Sequence, residues 1–224
     1  MKQLLIQIIK KTPLYHPLRN WVVNRIQKKE VLAWESAGKP SPPPHVIMQR
    51  TLQSYAETFD LKILVETGTY YGDMVEAMKP NFDHIYSIEL SEELYDKARD
   101  RFKDDEHIKL VHGDSEVELG KIVNEICQPA LFWLDGHYSA GETAKGTKDT
   151  PILGELECLL NCSEKNHVII IDDARFFGMD PGYPTMEELK CHILAINPDI
   201  NILVENDSIR LTPKTKSRPL NCSS

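Results

Sequence analysis

Apolar and polar positions along this chain switch between two periods. Ile63-Leu64-Val65, His84–Glu89, Ile108–His112, Ala130–Leu134 and His167–Ile171 are short apolar or alternating runs, rich in β-branched residues, and read as strands. Between them apolar positions recur at helical spacing. The pattern predicts helices around Val46–Phe59, from Met74 onward, from Ser91 through about Phe102, after Ser115 to about Cys127, over Ile152–Leu160 behind Pro151, and over Pro184–Ile196. Ser91 suits an N-cap, with Glu92 and Glu93 in the first turn that follows. Ile200–Val204 and Ile209–Leu211 flank an Asn206-Asp207 turn and predict a closing hairpin. Strands alternating with helices imply a doubly wound α/β fold, with a mostly parallel sheet and ligands at the carboxyl ends of its strands.

The two ends of the chain break this rhythm. Residues 1–44 read as a basic helical arm followed by a stiff stretch, Lys39-Pro40-Ser41-Pro42-Pro43-Pro44. Leu4, Leu5, Ile6, Ile8 and Ile9 form an apolar cluster too short for a transmembrane helix. Trp21, Val22, Val23 and Ile26 among Arg19, Arg25, Lys28 and Lys29 suggest a basic amphipathic segment, with residues 1–30 expected to touch either a membrane surface or another part of the protein, including a second subunit of a homodimer. Residues 45–214 carry the alternating pattern, and 215–224 are expected to be a disordered tail. Tyr138–Thr150 has no periodicity and contains Gly141 and Gly146, which suits a lid.

Charge sharpens the contrast. The 224 residues carry a net −8, yet residues 1–30 hold seven Lys/Arg and one Glu, leaving −14 on the remainder. A body this acidic argues against nucleic-acid binding. Cys127, Cys158, Cys162, Cys191 and Cys222 are odd in number and lack a C-x-x-C pair, the usage expected of reduced thiols in a cytoplasmic protein.

The candidate chemistry gathers where strands end. The first strand closes on Glu66 and turns through Gly68 and Gly72, giving E-x-G-x-x-x-G where a dinucleotide loop would read G-x-G-x-x-G. Glycines there let backbone approach a ligand, and the acid suits a cationic group. Glu89, 23 residues after Glu66, ends the next strand, where a carboxylate can accept from two vicinal hydroxyls or simply cap a helix. Asp114 and Ser115 follow the third strand and can take an amino group or cap the following helix. Asp135 ends the fourth strand and Asp172-Asp173 the fifth; three carboxylates at neighbouring strand ends suggest a divalent cation between them, with His137 as a further ligand or a proton acceptor.

In order and spacing, Glu66–Gly72, Glu89, Gly113-Asp114-Ser115 and Asp135–Tyr138 resemble the motifs of class I S-adenosylmethionine (SAM)-dependent methyltransferases. Trp133-Leu134-Asp135 with Ile171-Asp172-Asp173 is similar to the metal-dependent macrocin and catechol O-methyltransferase-like group. The resemblance implies a Rossmann-like fold with a seven-stranded sheet ending in an antiparallel hairpin. It also implies SAM held by Glu66, Gly68, Thr69, Gly72, Glu89, Asp114 and Ser115. A divalent metal, Mg or Mn-like, would sit at Asp135, Asp172, Asp173 and His137, with Asp135 and His137 in the catalytic roles. The implied activity is O-methylation of a small-molecule or glycan hydroxyl. Two alternatives use the same fold: a metal-dependent hydroxylase of the cephalosporin-hydroxylase-like type, and a SAM-binding module without turnover. The chain departs from the catechol-type pattern at Asp173, where an amide is usual, and from the macrocin-type pattern at His137, where an acid is usual.

Overall fold

A computed structural model describes residues 15–135 and 152–214, with backbone alone for 15–20. His137, Tyr138, the expected lid, the Leu4–Ile9 cluster and the 215–224 tail therefore lie outside the described residues. The chain divides into two compact units, Met1–Met48 and Gln49–Ser224.

The first unit holds helix α1 (Tyr15–Ser36) and the start of α2 (His45–Phe59). The α1 helix is longer than the segment read from the sequence, and it is not the amphipathic helix expected. Trp21, Val22 and Val23 are consecutive, so at helical spacing they spread over more than half the circumference instead of forming one stripe. Trp21 is 58% exposed, and Val22, Val23 and Ile26 are exposed with it. The Trp34 indole N–H donates to the Pro40 carbonyl at 2.7 Å, and the Lys39 ammonium lies 5.7 Å over the Trp34 ring, closing the turn after the helix. Among the described residues no helix is long and apolar enough to cross a membrane.

In the second unit the strands are β1 (Ile63–Thr67), β2 (His84–Glu89), β3 (Ile108–His112), β4 (Leu131–Leu134), β5 (Val168–Ile171), β6 (Ile200–Glu205) and β7 (Ser208–Pro213). They form one sheet of seven in the order β3-β2-β1-β4-β5-β7-β6. The β7 strand runs antiparallel to both neighbours, and every other pairing is parallel. The order reverses between β1 and β4, which puts a topological switch point at their carboxyl ends.

Side-chain alternation assigns each strand residue to a face. Ile63, Val65, Ile88, Phe132, Leu134, Ile169 and Ile171 join one core with α5 (Ser115–Glu125), α6 (Ile152–Asn161) and α7 (Met186–Ile196), through Leu119, Ile122, Leu156, Leu159, Leu189 and Ile193. By the same alternation Leu64, Glu66, Ile85, Ser87 and Trp133 point to the opposite face. Helices α3 (Asp73–Met78) and α4 (Glu92–Phe102) bury Met74, Val75, Met78, Leu94, Ala98 and Phe102. Local signals set the helix starts. The Ser91 hydroxyl accepts from Leu94 N, Asp114 from Glu116 N, and Thr185 with Glu188 forms a reciprocal capping box. That box starts α7 at Met186, two residues after the expected Pro184. The β5 strand begins at Val168 because His167 uses its ring instead: Nδ1 accepts the Ala130 N–H at 3.1 Å.

Candidate active site at the strand ends

The carboxyl ends of five strands are tied edge to edge by backbone. Gly113 N donates to the Glu89 carbonyl, Gly68 and Thr69 N both donate to Ile88, Asp135 N to Thr67, and Asp172 N to Leu134. Every strand-end residue singled out in the described sequence therefore falls on one rim: Glu66–Gly72, Glu89, Asp114-Ser115, Asp135 and Asp172-Asp173.

At the switch point the β1 turn is wound by three left-handed residues, Gly68 (φ 86°), Tyr70 (φ 50°) and Gly72 (φ 75°). Glycine takes this conformation freely, whereas tyrosine takes it at a cost on the order of 1 kcal/mol. Tyr70 is held there by its own N–H, which donates to Glu89 Oε2 at 2.8 Å. Ser91 N donates to Glu89 Oε1 at 2.8 Å, so each oxygen of this buried carboxylate carries one backbone N–H. A carboxylate has about four lone-pair sites, which leaves acceptor capacity on both oxygens. Below the turn a second chain runs from Thr69 Oγ1 to Ser87 Oγ at 2.6 Å, and from Ser87 Oγ to Glu66 Oε2 at 2.6 Å.

Glu66 is only 2% exposed. Burial pushes its carboxyl up to about 8; the Ser87 hydroxyl opposes this, and Asp135 and Glu89 add to it. Among the described residues no cation acts on Glu66, which suits the cationic group that the acid-glycine motif suggested. Sequence reasoning did not foresee that Glu66 would be enclosed, with Ser87 as its partner and Thr69 bonded in turn to Ser87.

Gly72 faces a further constraint. A Cβ there would sit 2.6 Å from the ring of Phe102, a buried residue of α4. Gly72→Val should therefore destabilise the protein by about 2–4 kcal/mol, combining left-handed strain with overpacking. Chemical denaturation measures this, and a loss below ~0.5 kcal/mol would mean that Phe102 moves aside. Since Gly68 also sits at positive φ, a bulky residue there would strain the turn itself as well as block a ligand.

The three acids at β4 and β5 do not assemble as expected. Asp172 is raised well above the usual carboxylate range, by burial first and then by Asp135 and Asp173. Asp173, at φ 59°, accepts from Arg175 Nη1 at 2.7 Å, and the same guanidinium pairs with Asp207. The expectation of three uncompensated carboxylates overlooked this cation two residues further on. Among the described residues no group of three or more His, Cys, Asp and Glu could hold a metal ion. Asp135 and Asp172, whose mutual repulsion a cation would relieve, suit one side of a divalent site; Asp173 is already neutralised. Asp114 caps α5 through Oδ1, at 3.0 Å from Glu116 N, which is the structural alternative weighed for it.

A carboxyl not singled out in the sequence is Glu155. It lies in the first turn of α6 and is 1% exposed, with the hydroxyls of Ser115 and Thr67 facing it. Its spacing offered a signal: with Ile152, Leu156, Leu159 and Leu160 it falls on the apolar stripe of the helix. A glutamate in that stripe is buried by its position.

The sheet order, the terminal hairpin and the position of this rim are those of the Rossmann-like methyltransferase fold. Solved structures with this fold include an O-methyltransferase from Bacillus cereus in complex with S-adenosylhomocysteine (SAH). It superposes with a TM-score of 0.57 at 16% identity, over 84% of this chain and 90% of that one. The O-methyltransferase TomG from Streptomyces achromogenes, involved in tomaymycin synthesis and solved with SAM, gives 0.54 at 15% identity over 83% and 87%. An SAH-bound methyltransferase from Podospora anserina gives 0.53 at 16% over 91% and 98%. No family model and no curated protein matches the sequence.

Proposed function

We propose that the chain is a SAM-dependent O-methyltransferase acting on a small-molecule or glycan hydroxyl. The observation that carries this reading is the buried Glu66 beneath a turn of left-handed residues, flanked by Glu89 and Asp135. A centre that gathers carboxyl groups, with no cation acting on Glu66 among the described residues, favours a ligand bringing its own positive charge and no phosphate. SAM, with an ammonium and a sulfonium, is such a ligand. The turn from Gly68 to Gly72 would receive its methionine part, with Thr69 in the turn. Glu89 would accept from the ribose hydroxyls through its remaining lone pairs. Asp114 and Ser115, one strand further along the same rim, would meet the adenine.

SAM supplies an already activated methyl group, so the protein's share is position and electrostatics. The strand-end ladder fixes the cofactor residues against one another, and the acceptor would enter beside Asp135. A divalent ion held by Asp135 and Asp172, when bound, would lower the pKa of the acceptor hydroxyl. His137, two residues after Asp135, is proposed as its ligand or as the group that receives the acceptor proton.

The purified protein should bind SAH in the micromolar range by calorimetry, and should transfer label from methyl-labelled SAM to a hydroxyl in a panel of phenols and sugars. Absence of SAH binding at ~1 mM would sink the reading. Chelator should stop transfer while leaving SAH affinity intact, and full transfer in excess chelator would remove the metal from the proposal.

A further inference from the structure

The two outer strands of the sheet protect their edges unequally. The β3 strand closes one side and carries two exposed polar residues, Lys109 and His112, with the Lys109 ammonium 2.7 Å from Glu125 Oε2. Charged side chains of this kind keep a sheet edge from pairing with another chain. The β6 strand closes the other side and has no such guard. From Ile200 to Val204 it contains no charged residue and no proline, and the Glu205 that ends it is bonded to Arg210 Nη1 at 2.6 Å. Leu203 is 49% exposed and Val204 44%, and by strand alternation they lie on opposite faces. Apolar side chains therefore flank this edge on both sides of the sheet.

The turn fixes which backbone groups of β6 face outward. Asn206 and Asp207 are both left-handed, at φ 49° and 61°, so the two-residue hairpin closes on Glu205 and Ser208 as a hydrogen-bonded pair. Alternate pairs then share their hydrogen bonds with β7, Leu203 with Arg210 and Asn201 with Thr212. The series continues past the strand, where Lys214 N donates to the Asp199 carbonyl at 3.0 Å. The N–H and C=O groups of Ile200, Ile202 and Val204 consequently point away from β7. Among the described residues no strand lies beyond them.

We propose that this edge is the interface of a homodimer, in which the β6 strands of two copies pair antiparallel about a two-fold axis at Leu203 and join two seven-stranded sheets into one. A second copy is the occupant because the strand is complementary to itself in this register. Ile202 of each copy exchanges backbone hydrogen bonds with Val204 of the other, Leu203 meets Leu203, and Glu205 falls opposite Asn201. Moving the axis to Ile202 keeps the hydrogen-bond parity but sets Glu205 against Asp199 at both ends, and like charges directly opposite oppose pairing.

A strand pair of six residues is at the small end of interface sizes, so the dimer should dissociate with a constant on the order of 10 μM. Sedimentation equilibrium of the full chain should show twice the mass of one chain at ~100 μM and a single chain below ~1 μM. Leu203→Glu sets two carboxylates face to face at the axis and should raise the constant more than tenfold. Val204→Pro removes an outward N–H that the single chain does not use, and should do the same. Circular dichroism checks that both variants stay folded. Leu203→Cys should give a disulfide-linked dimer under mild oxidation, because the members of a non-hydrogen-bonded pair bring their Cα atoms to about 4.5 Å. Asn201→Cys, facing Glu205, should not. A monomer at ~100 μM would overturn the proposal, as would a dimer that keeps its dissociation constant in Leu203→Glu and forms no cross-link in Leu203→Cys. In a monomer, slow amide exchange at Ile202 and Val204 would give the edge to another segment of the same chain, and fast exchange would show it open to solvent.

Discussion

Arg175→Ala should destabilise the protein by about 3 kcal/mol in urea denaturation, one of the larger effects available from a side chain that is partly in solvent. The guanidinium is shared between Asp173 and Asp207, both buried. Removing it takes a shared cation from two buried acids, which costs more than losing an exposed ion pair. Asp207 is itself fixed to the chain beyond β5, its carbonyl accepting from Ala174 N at 2.8 Å and its Oδ1 from Arg175 N at 2.9 Å. The arginine therefore latches the β6–β7 turn onto the end of β5. Arg175→Lys should recover only part of the loss, because one ammonium cannot span two carboxylates as a planar fork does. Adding Asp207→Asn to Arg175→Ala should recover part of it by removing one buried charge. A loss under ~0.5 kcal/mol for Arg175→Ala would show that solvent replaces the guanidinium at no cost.

Glu89→Ala should cut SAH affinity by about 100-fold or more while the sheet stays folded. The carboxylate does two jobs at once: it holds Tyr70 N in a left-handed conformation and Ser91 N at the start of α4, and it is the proposed ribose acceptor. Each charge-assisted hydrogen bond contributes about 1.5–3 kcal/mol, so losing this acceptor from the turn and the ligand together exceeds two factors of ten. Glu89→Gln should fall between the two, since its amide keeps one acceptor oxygen but turns an NH2 group toward a backbone donor. Calorimetry with circular dichroism separates lost affinity from lost structure. Near wild-type SAH affinity in Glu89→Ala would remove Glu89 from the cofactor site.

Much of the fold was legible because its signals are local. Apolar β-branched runs, the caps at Ser91 and Asp114 and the Asn206-Asp207 turn each act within a few residues, and all appear where the pattern put them. The sequence also put the acids on one rim, since strand ends in a parallel sheet share an edge. Partnership across the sheet was not legible. That Arg175 would answer Asp173 depends on a left-handed residue at Asp173 and on a hairpin more than thirty residues away supplying Asp207. Ser87 reads as an unremarkable strand residue until register sets it opposite Glu66. Glu155 was legible in principle, from its place in the apolar stripe of α6, but helical glutamates are read as solvent-facing by habit. The N-terminal helix shows the opposite error: a cluster of apolar and basic residues suggested amphipathicity that the angular spacing of Trp21, Val22 and Val23 does not support.

Strand order also bears on how the protein must be made. The β5 strand, Val168–Ile171, is buried throughout, and one of its two edges is covered by β7, which is followed in space by β6. Residues 208–213 are synthesised some forty positions after β5, once α7 and β6 have been laid down. Until they emerge, a run of one valine and three isoleucines has a bare hydrogen-bonding edge, the template on which β-aggregation begins. Release of a chain stopped before Ser208 should therefore yield inclusion bodies, not a slightly weakened enzyme, and slow translation through residues 172–207 would lengthen the exposure.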